Sequence, residues 1–191
     1  MTAAIMFAGL ATGDRLALAA GLRRRDPELL EALIAQYEYR LFRYLLCLTA
    51  NRALAEDLFQ ETWMRVLDRG DQYHAGANFD AWLFTIARHL VIDFQRRKKC
   101  ETLDEAVELS AAAPGVSALD EIFRQERDAE VQDALARLPA IHREVLLLRF
   151  QEELPLPEIA AVVGVPVSTV KSRLYRALEA LRQDLGGAAH V

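Results

Sequence analysis

Between Pro27 and Leu48, apolar side chains recur at three- and four-residue spacing through Leu29, Leu30, Leu33, Ile34, Tyr37, Leu41, Tyr44, Leu45 and Leu48. That period fits a helix with one buried stripe and excludes the alternation of a half-buried strand. The same spacing begins near Asp14, runs from Leu54 to Leu67 after a break at Asn51-Arg52-Ala53, and returns from Phe79 to Lys99 after a polar loop over Gly70 to Asn78. Nowhere does a strand-like alternation persist between turn residues, and only 9 Gly and 6 Pro occur in 191 residues. An all-α chain is expected, its first half a four-helix bundle. Hydrophobic residues make up 52% of the chain, enough for one large or two small cores.

Near the C-terminus, Leu156-Pro157-Glu158-Ile159-Ala160-Ala161-Val162-Val163-Gly164 reads as a short helix opened by proline and closed by glycine. After Gly164-Val165-Pro166, a second helix carries Val170, Leu174, Ala177, Leu178 and Leu181 on one stripe. Its other face holds Ser168, Thr169, Ser172, Tyr175 and Arg176, flanked by Lys171 and Arg173. Two helices and a tight turn with this polar face form a helix-turn-helix, in which cations reach phosphates and short polar groups approach base edges. The bland alternative is an amphipathic hairpin with solvated cations.

A net charge of -5 speaks against a polyanionic partner only until its distribution is read. Residues 100–134 hold ten acidic residues against two basic ones, so both flanking halves are close to neutral or basic. That acidic segment contains Ala111-Ala112-Ala113-Pro114-Gly115-Val116-Ser117-Ala118 and has the composition of a linker. The expected organisation is a tail and helix start over 1–26, a first domain over 27–99, a linker over 100–131 and a second domain over 132–191. A linker this polar leaves the two domains free to close on each other. Cys47 and Cys100 lie far apart without a CxxC spacing, which indicates neither a disulfide framework nor a metal site. The apolar opening Met1–Leu10 lacks a basic n-region and soon meets Asp14 and Arg15, so neither a signal peptide nor a membrane span is expected.

Two features of the first half await a role. Asp57, Gln60 and Glu61 share one helical face, which suits acid–base or metal chemistry, a solvated surface, or docking to a basic partner. No His stands at a spacing to join the carboxylates. The Phe79 helix sets Phe79, Leu83, Ile86, Leu90 and Phe94 against Thr85, Arg88, His89, Gln95 and Arg96, and ends in Arg96-Arg97-Lys98-Lys99. Those cations suit the helix dipole, and equally a phosphate chain. Of the nearby aromatics Tyr73, Phe79, Trp82 and Phe84, helical spacing sends most to the core; only Tyr73, in the loop, is a free candidate for stacking on a base.

Taken in order, Asp57-Leu58-Phe59-Gln60-Glu61, Ala81-Trp82-Leu83-Phe84-Thr85-Ile86-Ala87-Arg88 with Ile92-Asp93, and Thr169-Val170-Lys171-Ser172-Arg173-Leu174 carry a family likeness. The sequence resembles bacterial sigma factors of the extracytoplasmic-function (ECF) group over roughly residues 27–99 and 132–184. The resemblance implies a sigma-2-type bundle and a C-terminal sigma-4-type domain, joined by a flexible acidic linker. It implies a cytoplasmic promoter-specificity subunit without catalytic activity, cofactor, metal or small-molecule substrate. Its partners would be core RNA polymerase, promoter DNA and an anti-sigma protein. Asp57, Gln60 and Glu61 match positions that dock on the clamp helices of the polymerase beta-prime subunit. The minus-ten candidates are Tyr73, His74 and Asn78, from the loop that receives a flipped base, with Arg88, His89, Arg96, Arg97 and Lys98. The minus-35 candidates are Ser168, Thr169, Lys171, Ser172, Arg173, Tyr175 and Arg176. His89 stands where many members carry Asn, a departure that bears on promoter preference. A free-standing helix-turn-helix regulator is the runner-up reading, and a helical metalloenzyme using Asp57, Glu61, His74, His89 and His142 is the third.

Overall fold

Asp26 opens the first long helix. Its side chain accepts hydrogen bonds from the backbone N–H groups of Glu28 and Leu29 at 3.1 and 3.4 Å, and Pro27 follows at the first helical position. The computed structural model describes residues 12–101 and 134–187, and every regular element among them is helical. The first half contains α1 (Thr12–Arg24), α2 (Pro27–Thr49), α3 (Arg52–Asp68), a 3-10 turn (Gly70–Gln72) and α4 (Phe79–Glu101); the second contains α5 (Ala140–Phe150), α6 (Leu156–Val163) and α7 (Val167–Gly187). The first eleven residues and nearly all of the expected linker lie outside the described residues.

Local chemistry sets the joints. Ala50 ends α2 in the left-handed region at φ 49° and Asn51 caps α3, its side chain accepting from the Leu54 N–H at 3.0 Å. Gly70 permits a close approach, since a Cβ there would meet the Leu22 carbonyl oxygen at 2.7 Å. This contact ties α1 to the turn after α3. Leu18, Ala19 and Leu22 of α1 are buried with Leu33, Tyr37, Leu41, Tyr44, Trp63, Val66, Leu83 and Phe84. The bundle core therefore starts well before residue 27, where the sequence reading set its domain boundary.

In the second half, Val145, Leu148, Leu154, Ile159, Val162, Val163, Val170, Leu174 and Ala177 close a small core. Gly164 sits at φ 66° and donates to the Ala160 carbonyl, which turns the chain from α6 into α7. Leu178 departs from the expected stripe and is 46% exposed. At 3.6 residues per turn it stands roughly 80° from Val170, at the stripe's edge. The two halves are in contact: α4 packs on α6 and α2 packs on α5.

Candidate functional site

On α3, the face opposite the buried Leu58, Thr62 and Val66 presents Asp57, Gln60 and Glu61 to solvent. Thr62 is satisfied by the Leu58 carbonyl at 2.6 Å, and Glu61 pairs with Arg65 at 2.9 Å on the surface. Met64, one turn further along the same face, is 55% exposed. Sequence reasoning passed over it, although its place three residues after Glu61 is the available signal. The result is an acidic stripe with one large, adaptable apolar side chain.

The loop before α4 corrects one expectation. Tyr73 is 1% exposed; its ring lies 5.6 Å from Phe79 and 5.3 Å from Trp82, and its hydroxyl donates to the Ala77 carbonyl at 3.0 Å. It anchors the loop and offers no free ring to a base. Burial raises its hydroxyl pKa above the ordinary tyrosine value. The loop is short, so an apolar residue within it can turn inward and staple both ends. Asn78 also has a local task, accepting from the Asp80 N–H at 2.9 Å. His74 stands exposed at the outer part of the loop.

Along α4, His89 is exposed and borders an open cleft of about 170 Å³ shared with Arg65, Arg69, Ile86, Leu90 and Asp93. Arg96, Arg97 and Lys98 are exposed at the helix end, where Arg97 donates to the Asp93 carbonyl at 3.4 Å. Arg88 is turned elsewhere. Its Nε donates to Glu144 Oε1 of α5 at 2.8 Å, and its side chain is only 19% exposed.

In the C-terminal domain, Ser168, Lys171, Ser172, Tyr175 and Arg176 are exposed, with Thr169 and Arg173 half-buried beside them. Tyr175 is 71% exposed, unusual for a large aromatic ring on a helix whose other side is well packed. Val170, Leu174 and Ala177 fix the orientation of this face from behind.

The contact between the halves holds residues that the sequence reading did not assign. Glu144 Oε1 accepts from both Tyr44 at 2.9 Å and Arg88, with a side chain 4% exposed. Glu152, fully buried, meets Arg40 through Nε at 2.7 Å and Nη2 at 2.6 Å, and Arg40 Nη2 also lies 3.0 Å from Asp80. Burial opposes the charge on Arg40, but Glu152 and Asp80 outweigh it and its pKa rises. Burial pushes Glu152 upward against the opposing pull of Arg40. Glu144 is the one member with a sequence signal, an acid directly before the buried run Val145-Leu146-Leu147-Leu148.

Two family models match the chain: "Sigma-70 region 2" over residues 33–100 and "Sigma-70, region 4" over residues 128–181. ECF RNA polymerase sigma factor SigL of Mycobacterium tuberculosis is 34% identical over 175 residues, covering 90% of this chain and 98% of that one. ECF RNA polymerase sigma factor SigW of Bacillus subtilis is 30% identical over 173 residues, covering 86% and 92%. Among solved structures, the sigma factor RpoE of Bartonella quintana, in complex with the anti-sigma factor NepR, superposes with a TM-score of 0.63 at 27% identity, covering 82% of this chain and 96% of that chain. CnrH, in complex with the cytosolic domain of CnrY, shares the fold at a TM-score of 0.64 and 24% identity, covering 91% and 97%.

Proposed function

The chain belongs to the sigma-70 family, in its ECF group, and is an alternative sigma factor; from that premise we propose how its surfaces divide the work. Asp57, Gln60 and Glu61, extended by Met64, dock on the coiled-coil clamp helices of the polymerase beta-prime subunit. A stripe of exposed carboxylates around one methionine suits a basic, partly apolar helical partner. His74 and Asn78 line the loop that takes the flipped minus-ten base, and His89, Arg96, Arg97 and Lys98 hold the backbone around it. Flipping a base costs a few kcal/mol, which those stacking and phosphate contacts offset. Arg88 joins them once Glu144 releases it.

The helix α7 enters the major groove at the minus-35 element, with Lys171, Arg173 and Arg176 on phosphates and Ser168, Thr169, Ser172 and Tyr175 toward base edges. The observation that carries this reading is the exposed polar face of α7, held by Val170, Leu174 and Ala177 behind the Gly164 turn. Bond formation belongs to the polymerase, and this subunit supplies recognition and melting without catalysis of its own. Its setting is the cytoplasm, and among the described residues no helix is long and apolar enough to cross a membrane. An anti-sigma protein is the expected regulator, by likeness to the RpoE structure with NepR.

The test is reconstitution. The purified chain should comigrate with bacterial core polymerase and direct specific initiation from a promoter library, with both elements recovered among the transcribed sequences. Tight binding to duplex DNA by the chain alone, without binding to core, would instead favour a free-standing regulator.

A further inference from the structure

Where α2 meets α5, the cations outnumber the acids that answer them. Arg40 is met by Glu152 and Asp80, and Arg88 by Glu144. Arg43 on α2 and Arg143 on α5 are left over. Among the described residues neither pairs with a carboxylate, and the Nε of each is buried without an acceptor. Buried donors are nearly always satisfied, so two unpaired guanidinium forks at one helix contact call for a shared anion.

Their neighbours bring the two together. The Tyr44 hydroxyl donates to Glu144 at 2.9 Å, and Arg43 and Arg143 directly precede that bonded pair on the two packed helices. Cys47 follows Arg43 by four residues on the same face of α2. Burial raises its thiol while Arg143 and Arg43 oppose the rise, so both guanidiniums lie within electrostatic reach of one sulfur. Arg43 is steadied on its far side by the Tyr39 hydroxyl at 3.3 Å and by the Tyr39 ring, 5.2 Å from the guanidinium carbon. Arg43, Cys47 and Arg143 are each half-buried, which leaves the site a route to solvent.

Chemistry selects the occupant. Each guanidinium is a planar fork that suits two oxygens, so forks from two helices suit a tetrahedral oxyanion better than a carboxylate, which one fork already fills. The site is also narrow. Glu144 follows Arg143 directly, and Glu152, its carboxyl raised by burial and pulled down by Arg40 and Arg43, lies near the other arginine. A polyanionic strand would meet those acids beyond its first phosphate, whereas a small molecule would not. We propose that Arg43 and Arg143 form a binding site for the phosphoryl group of a small molecule, seated beside Cys47 and bridging α2 to α5. This goes beyond the promoter-recognition reading and uses none of its DNA-binding residues.

The experiment titrates the full chain by calorimetry with inorganic phosphate, pyrophosphate and adenosine monophosphate in turn, at an ionic strength held constant with sodium chloride. Saturable binding of a single equivalent is expected, tightest for the nucleotide where the phosphoryl group arrives on a nucleoside and for an inorganic ion where it arrives free. Arg143→Gln and Arg43→Gln each weaken that binding by at least about tenfold, the scale of a hydrogen bond to a charged group. Arg143→Lys keeps the charge, loses the fork and falls in between. Arg23→Gln with Arg24→Gln, exposed at the end of α1, leaves the affinity unchanged. A second readout keeps both arginines, and so stands even where a glutamine variant loses helicity. In Cys100→Ser, a probe at about nine times its dissociation constant slows alkylation of Cys47 by about tenfold, because only the unoccupied fraction reacts. No saturable binding of any of the three probes, or binding that survives both arginine substitutions, overturns the site. A Cys47 alkylated at the same rate with and without a bound probe overturns its placement between α2 and α5.

Discussion

Ala50 holds a backbone conformation that suits glycine. Its φ of 49° places a Cβ against the local carbonyl, while its N–H closes α2 on the Leu46 carbonyl at 2.9 Å. Ala50→Gly relieves that clash at the cost of a more flexible unfolded chain, and we expect a net gain of up to about 1 kcal/mol in chemical denaturation. Cys47 makes the opposite kind of point, since its environment and not its backbone sets its behaviour. Burial pushes its thiol from 9.0 to about 11, although Arg143 and Arg43 pull it down. At pH 8 that leaves roughly a hundredfold less thiolate than an unperturbed cysteine carries. In a Cys100→Ser variant, alkylation of native Cys47 at pH 8 should therefore run at least about tenfold slower than in denaturant, and equal rates would refute the shielding.

At the scale of elements, α3 offers the sharpest division between fold and function. Its buried side carries Ala55, Leu58, Thr62, Trp63 and Val66, and its start is held by the Asn51 cap, so the acidic face contributes little to folding. Asp57→Lys with Glu61→Lys should reduce affinity for core polymerase by roughly a hundredfold or more, because like charges then face the clamp helices. The Glu61–Arg65 pair lost with it is exposed and worth well under about 1 kcal/mol, so circular dichroism should be unchanged. Core binding that survived in a fully helical variant would sink the docking assignment.

The same elements show what spacing can and cannot convey. A three- and four-residue period located α2, α3, α4 and the α6–α7 pair because each buries one stripe along its length. It misplaced Leu178, because a stripe has edges, and left Tyr73 free, because a loop residue has no period to betray its direction. It said nothing of Arg40 with Glu152, which are 112 residues apart, or Arg88 with Glu144, which are 56 apart. A pair of that kind is set by how two finished domains meet, and each residue alone looks like an ordinary surface charge.

For the whole molecule, how firmly the two domains pack on each other should depend on pH, and the sign follows from the buried acids. Burial raises Glu152, with Asp80 adding to it and Arg40 and Arg43 opposing it; burial raises Glu158 as well, with Asp80 adding and Asn78 and Arg15 opposing. Both groups return toward the ordinary carboxylate value when the domains part. The closed form therefore binds more protons than the open form just above 4.5, the ordinary value for these groups. By linkage, closure strengthens as pH falls through the raised values and weakens as pH rises beyond them. Spin labels introduced through unnatural amino acids at the exposed Ala53 and Ala161 should accordingly show the two domains in contact in a larger share of molecules at pH 5.5 than at pH 7.5. In Glu152→Gln with Glu158→Gln that difference should largely vanish, since neither remaining side chain titrates. An acid-induced opening of the wild type would reverse the sign and show that the ion pairs at Arg40 and Arg88, and not the desolvation of their carboxylates, control how the two domains meet.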